Sequence, residues 1–391
     1  MRVAFMLIGG KSWTGGYNYL LNLVRVLAMH ESGRITPLLF FGTDTAPDEA
    51  LPFAEIGGVE VIHSPMMNQA RKSRSLFASI LLGRDAAVRD LFVQHQADLV
   101  FESAQFFGAR LGLPAIAWIP DFQHRYLPQM FTRAGYWKRE LGFRAQVAAG
   151  RSIMLSSEDS RQSCERLYPS TAGRTSAVRF SVPPGPPVDA ADARALANEY
   201  GLPQHFFFMP NQFSRHKNHL LLLQALALLR DRGHRIVVAA TGQQLDARDP
   251  KYFGQVQGAV AALSVQQEFR FLGMIPYPHL AKLMRASVAL LNPSLFEGWS
   301  TTVEEARSSG TPMLLSNLAV HYEQAGNEAT FFDRTSAAAL ADALRDFHFL
   351  TPTQREQRAA AARDDAEQRV RRFAAEFVTL IDRSLSQALR P

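Results

Sequence analysis

Apolar runs of strand length alternate with segments of helical period down the chain, and near its middle the alternation starts again. The first series holds "VAFMLI" (3–8), a helix built on Leu20, Leu21, Val24 and Leu27, then "PLLFF" (37–41), "VEVIH" (59–63), "ADLVFES" (97–103), "AIAWIPD" (115–121) and "SIMLSS" (152–157). Runs this continuously apolar must be hidden on both faces, which a parallel sheet covered by helices provides. Between the series lies "SVPPGPPVDAADA" (181–193), whose proline density predicts a linker rather than a packed element. The second series holds "HFFFMP" (205–210), a helix over 218–229, "RIVVAATG" (235–242), "FRFLG" (269–273), a helix over 278–286, "VALLNPS" (288–294) and "PMLLS" (312–316).

The pattern predicts an α/β chain of two doubly wound halves in tandem. The expected division is a first domain over 1–184, a linker over 185–202, a second domain over 203–365 and a terminal helix over 366–391. In that helix Val370, Phe373, Phe377 and Ile381 share one stripe, so it needs an apolar surface and is expected to dock back on the first domain. Ligands of doubly wound sheets sit beyond the carboxyl ends of the strands, which predicts a cleft between facing halves.

With 391 residues and 47% hydrophobic content, the chain is long enough for two separate cores. Its net charge of +6 favours anionic partners: phosphorylated metabolites, anionic lipid or nucleic acid. No RNP, GXXG or zinc-finger signature appears, so nucleic acid is not an expected partner. A single cysteine, Cys164, excludes an internal disulfide and points to a reducing compartment. No apolar run reaches the roughly 18 residues of a membrane span, and Lys11 follows the opening apolar run with no small-residue cleavage pattern. The expected location is therefore cytoplasmic, with peripheral contact at the inner membrane face as a further expectation.

The segment "FEGWSTTVEEARSSGTP" (296–312) follows a strand-like run and ends in Gly310 and Pro312, which stop helices. Glu297 and Glu305 thus bracket a strand-to-helix turn. With Thr301 as the cap, Glu304 would complete a capping box, a structural role. Glu305, about 100° further round, points elsewhere. The free N–H groups of such a helix start favour a phosphate, and carboxylates on either side suit the hydroxyls of a sugar and a ribose. A sugar nucleotide supplies all three. The alternative is that both glutamates are merely surface or capping residues.

This segment resembles the Glu-x7-Glu motif of retaining glycosyltransferases of family 4, which have the GT-B fold of two facing Rossmann-like domains. Further segments match in order: "MPNQFSRHKNH" (209–219) resembles the stretch carrying the family's phosphate-binding basic pair, and "IMLSSEDSRQSCERLYP" (153–169) the unit closing the first domain. "FRFLG" with "PHLAKLMRASVALLNPSLFEG" resembles the run before the motif, and "HYEQAGNEATFFD" (321–333) the stretch after it. The resemblance implies that Glu297 contacts the donor sugar, Glu305 the ribose, and Gly298, Trp299, Ser300, Thr301 and Thr302 the sugar and phosphate. It implies that Lys217 holds the diphosphate, with Asn211 in the same donor-binding segment. The family's arginine is replaced by Gln212, leaving Arg215 as the candidate second cation.

"GGKSWTGGYNYL" (9–20) is a glycine-rich turn but not Gly-x-Gly-x-x-Gly, which removes support from a dinucleotide oxidoreductase. In the resembled family this loop lies beside the donor phosphates, making Gly15 and Gly16 candidates for close backbone approach. In "WIPDFQHRYLP" (118–128) Asp121 matches a family aspartate, whereas Pro120 stands where many relatives have histidine. His124 is the candidate replacement, with Asp121 or His124 orienting or deprotonating an acceptor hydroxyl. "ARKSRSLFASILLGR" (70–84) mixes basic residues with an apolar face, read either as a core helix with a basic end or as a rest on anionic lipid.

The resulting expectation is a hexosyltransferase acting from GDP-mannose or a UDP-hexose on a glycan or lipid-linked glycan with retention of configuration, in bacterial cell-surface polysaccharide synthesis. The sequence holds no Asp-x-Asp, so neither a metal nor another cofactor is expected. A sugar-nucleotide 2-epimerase of the same fold and a non-catalytic sugar-nucleotide binder are the alternatives.

Overall fold

The computed structural model describes residues 1–7, 14–103, 105–246 and 248–388. It divides into two units, one of Met1–Pro128, Arg133–Ser181 and Gln368–Pro391, the other of Gln129–Thr132 and Val182–Glu367.

Among the described residues the first unit holds a parallel sheet of β1 (Arg2–Met6), β2 (Thr36–Phe41), β3 (Glu60–His63), β4 (Leu99–Ser103), β5 (Ala115–Trp118), β6 (Ser152–Leu155) and β7 (Thr175–Ala177), in the order β3-β2-β1-β4-β5-β6-β7. Val3 pairs with Pro37 on one side and Leu99 on the other, so β1 is central and its side chains are buried on both faces. This accounts for an unbroken apolar run rather than an alternating one. The terminal helix Pro352–Ala388 ends on this sheet: Phe377 stacks on Phe5 and meets Phe101 edge-on, and Phe373 meets Tyr19 and Phe180. All four residues of the predicted stripe are buried. Cys164 is buried beside Thr171, and burial pushes its thiol up to about 11, so it is inert packing.

The second unit holds β8 (Phe207–Pro210), β9 (Val238–Thr241), β10 (Phe269–Phe271), β11 (Ala289–Asn292), β12 (Met313–Ser316) and β13 (Ala329–Phe332), all parallel in the order β10-β9-β8-β11-β12-β13. From β8 the chain winds outward through β9 and β10, then returns to the other side of β8 with β11. The switch point lies between β8 and β11, where the loops leaving their carboxyl ends diverge and leave room for a ligand. The edge strands β7 and β13 were not anticipated, because "TSA" and "ATFF" are too short and too weakly patterned to stand out.

Residues 185–202, expected as a linker, contain the helix Ala190–Glu199. Leu196 and Ala197 of that helix are buried with Leu283 and Met284 of the helix Tyr277–Ala286, placing it in the second unit. The prolines end at Pro187, and Asp189 then caps the helix by accepting from the N–H groups of Ala191 and Asp192. The proline-rich run hid that cap.

Candidate functional site

Two turns meet at the switch point. After β8 the chain passes Asn211 and makes one 3-10 turn, Arg215–Lys217, before Asn218 adopts left-handed backbone (φ 61) and starts the helix His219–Asp231. After β11 it runs through Pro293–Ser300 to the helix Thr301–Ser309. Hydrogen bonds stitch the turns together. The Leu295 N–H donates to the His216 carbonyl (2.7 Å), and the Asn218 amide donates to the carbonyls of Pro293 (3.1 Å) and Arg334 (3.0 Å). Lys217 and Glu297, 80 residues apart in sequence, thereby face each other with Nζ 2.5 Å from Oε1.

The pair is largely shielded: the side chains are 15% and 9% exposed. Burial pushes the Glu297 carboxyl up, but the charges of Lys217, His216 and His321 together with the Lys217 hydrogen bond outweigh it, and the net direction is down. Glu297 is therefore held as a carboxylate beside an ammonium. Ser294 Oγ lies 2.7 Å from Glu297 Oε1 and 2.6 Å from Asn292 Oδ1, while the Asn292 amide donates to Ser300 Oγ (3.0 Å). The last residue of β11 thus fixes both ends of the turn.

The helix Thr301–Ser309 begins without a side-chain cap. Its N-cap is Ser300, whose hydroxyl is engaged by Asn292 and Thr302 and reaches none of the first-turn N–H groups. Elsewhere in the chain Asp85, Ser157, Asp189 and Ser336 do cap their helices with side chains. The expected Thr301–Glu304 capping box is not formed. The Glu304 N–H instead bonds the Ser300 carbonyl, and its buried carboxylate accepts from Gln324 Nε2 (3.1 Å). Gln324 also clasps the Ser300 backbone, accepting from its N–H (3.3 Å) and donating to its carbonyl (2.8 Å). A helix start rigidly held yet uncapped is suited to an anion.

Glu305 sits on the same helix in a different environment. Only the Tyr277 hydroxyl donates to it (3.3 Å), and among the described residues no cation is within ion-pair distance. Burial pushes its carboxyl up to about 7.

His321 and Gln324, which sequence reasoning did not weigh individually, join this region, as does the expected Asn211. His321 is fully buried, its Nδ1 2.9 Å from the Ser316 carbonyl, and it is electrostatically coupled to Glu297. Burial depresses its pKa, leaving it neutral with Nδ1–H donating and Nε2 without a partner among the described residues. The buried Asn211 side chain, directly after β8, likewise has an Nδ2 donor with no partner among the described residues. Gly242 makes room here, since a Cβ on it would stand 2.5 Å from the Asn211 carbonyl oxygen. The signal for His321 and Gln324 was "HYEQAG", a polar cluster just past a buried strand.

Arg215 is placed differently from the expectation that it supplies a second phosphate contact. Its guanidinium bonds Asp249 (2.5 and 3.0 Å) and Gln255 and lies over the Tyr252 ring, so its charge is already matched. Arg215 and His216 line a pocket of about 320 Å³ with Gln129–Thr132, Asp246, Arg248 and Asp249, all of the second unit and without Lys217 or Glu297.

In the first unit Asp121 accepts from the Gln123 N–H (2.7 Å) and from Arg139 (2.7 Å), and its side chain is partly exposed. His124 is fully buried against Tyr136 and Phe143 with Nε2 3.1 Å from Glu140, so the structure presents it to the core rather than to an acceptor. Its expected acceptor role is corrected accordingly: Phe143 and Glu140 on the helix Arg133–Ala148 supply apolar contact and a charge partner that the local sequence could not reveal. Gly15 and Gly16 lie in the first turn of the helix Thr14–His30, while the start of the expected glycine-rich turn, 9–13, is outside the described residues.

Residues 196–364 match the family model described as Glycosyl transferases group 1. A putative glycosyltransferase EpsF of Bacillus subtilis (strain 168) is 30% identical over 115 residues, 29% of this chain and 28% of that protein. Mannosylfructose-phosphate synthase of Agrobacterium fabrum is 23% identical over 132 residues, 33% of this chain and 29% of that protein. The chain thus spans less than a third of the length of these relatives. A glycosyltransferase structure from Rickettsia africae superposes with a TM-score of 0.70 at 13% identity, covering 98% of both chains. The Anabaena Alr3699/HepE structure in complex with UDP and glucose does so with 0.69 at 18%, covering 97% of this chain and 99% of that one. The fold is that of the GT-B glycosyltransferases: two parallel-sheet Rossmann-like α/β domains with a C-terminal helix.

Proposed function

We propose that the protein transfers a glycosyl group from a nucleotide-sugar to a hydroxyl acceptor. The observation that carries this reading is the Lys217–Glu297 pair at the β8/β11 switch point, beside a helix start that is braced but uncapped. The match of residues 196–364 to a glycosyl transferase model and the UDP named with the Anabaena structure support it.

In this reading the donor diphosphate lies against the amino end of the helix Thr301–Ser309, on the N–H groups from Thr301 onward, with Lys217 as its counter-charge. Cleavage of the sugar–phosphate bond leaves negative charge on the diphosphate, which Lys217 and the helix start stabilise. Glu297 holds Lys217 in place before the donor binds and accepts from sugar hydroxyls once it has. Glu305 accepts from the ribose. The Asn211 amide and His321 Nε2, both buried without a partner among the described residues, offer a donor and an acceptor to the ligand. Asp121 orients the acceptor hydroxyl. Retention of configuration, a mannosyl donor, a glycan or lipid-linked acceptor and a role in cell-surface polysaccharide synthesis complete the reading, which assigns no metal because no Asp-x-Asp occurs in the sequence.

The test is acceptor-dependent nucleotide release, with a thermal-shift panel of nucleotide-sugars to identify the donor. Glu297→Ala and Lys217→Ala should each lower turnover at least about a hundredfold, the loss typical of a removed transition-state contact. Lys217→Ala should also abolish the thermal shift given by the donor. Near-normal turnover in both variants would overturn the assignment.

A further inference from the structure

The helix Gln69–Leu81 is built inside out. Its inward side carries Ser75 and Ser79, which are 9% and 1% exposed, while Phe77, Ile80 and Leu81 stand 60–66% exposed and Leu82, which ends it, 71%. At 100° per residue Leu76, Phe77, Ile80 and Leu81 form one stripe roughly opposite the serines. A helix serving only a globular core would place these residues the other way round. Nothing in the transfer chemistry uses this stripe.

The charges along it are mostly positive, although Asp44 accepts from the Gln69 N–H at its start (2.8 Å) and Arg71 pairs with Asp85 (3.9 Å). Between positions 70 and 85 stand Arg71, Lys72, Arg74 and Arg84 against one acid, Asp85. Asp85 is buried and faces inward, accepting from the N–H groups of Ala87 and Val88. A stripe of large apolar side chains flanked by basic ones, on a helix about 20 Å long, matches a bilayer surface, where the apolar residues enter the acyl boundary and the cations meet lipid phosphates. A second copy of this chain fits less well, because face-to-face packing would bring the two basic clusters together.

We infer that the Gln69–Leu81 helix docks the protein on an anionic lipid surface through Phe77, Ile80, Leu81 and Leu82. The inference stands apart from the transferase reading, since lipid binding is measured without any substrate.

The experiment is flotation of the full chain with vesicles of phosphatidylcholine alone or with about one-third phosphatidylglycerol. The unaltered protein should float with the mixed vesicles and much less with the neutral ones. Phe77→Ser combined with Ile80→Ser should lower the partition coefficient at least about tenfold with Tm unchanged, because both side chains are exposed. Lys72→Glu with Arg74→Glu should remove the preference for the anionic vesicles. Absence of flotation with either vesicle, or full retention by the double serine variant, would overturn the inference. So would a concentration-dependent dimer in sedimentation velocity that the serine variant abolishes while vesicles are not bound, which would assign the stripe to a second copy.

Discussion

Glu297 and Glu305 lie eight positions apart, and the environment of each sets its charge. Lys217 keeps Glu297 ionised, whereas Glu305 has only a tyrosine hydroxyl to offset its burial and is pushed up to about 7 from a usual 4.5. The consequence for stability has a definite sign. Below pH 4.5 both folded and unfolded chains hold the Glu305 proton; above it the unfolded chain releases the proton first. Stability therefore falls as pH rises toward 7, and the deficit is complete above it. Glu305→Gln removes that titration. The variant should melt close to the parent at pH 4 and above it at pH 8, with the difference opening between those values in a Tm series. A pH-independent difference would count against the burial argument. A ligand hydroxyl donating to Glu305 would lower its pKa, so donor binding should release a fraction of a proton near pH 7, a quantity open to calorimetry in buffers of different ionisation heat.

At the scale of the element, the helix Thr301–Ser309 is shaped by what holds its two ends. Gln324 and Asn292 brace its start without occupying the first N–H groups, and Gly310 closes it with left-handed backbone (φ 69). A Cβ on Gly310 would stand 2.7 Å from Ala359 Cα in the terminal helix, a backbone contact that a side-chain rotation cannot relieve. Gly310→Ala should cost about 2–4 kcal/mol, strain and overpacking together. Gly201 has a similar φ of 66 with nothing within 4 Å, so Gly201→Ala should lose only the strain, about 1 kcal/mol. Urea midpoints of the two variants measure the difference. That Gly310 ends the helix was legible from its position before Pro312; that it also admits the terminal helix was not, since Ala359 is remote in sequence.

At the scale of the whole molecule, the last helix starts in the second unit and ends as part of the first. Phe377 fills the space against Phe5 of β1 and Phe101 of β4. Phe377→Ala should cost about 3–5 kcal/mol and speed amide hydrogen exchange in β1 and β4, leaving β8 and β11 protected. The parallel sheets, the tandem halves and the amphipathic tail were all legible because they rest on periodicity, which each segment carries in its own residues. The turn at 296–302 was legible for the same reason, as a glycine and hydroxyl cluster between a strand and a helix. Tertiary structure alone decided that Lys217 meets Glu297, that Arg215 turns to Asp249, that His124 is buried on Glu140, and that Phe77 and Ile80 face outward over buried serines. Charge pairing and burial depend on neighbours tens of residues away, and no local pattern contains them.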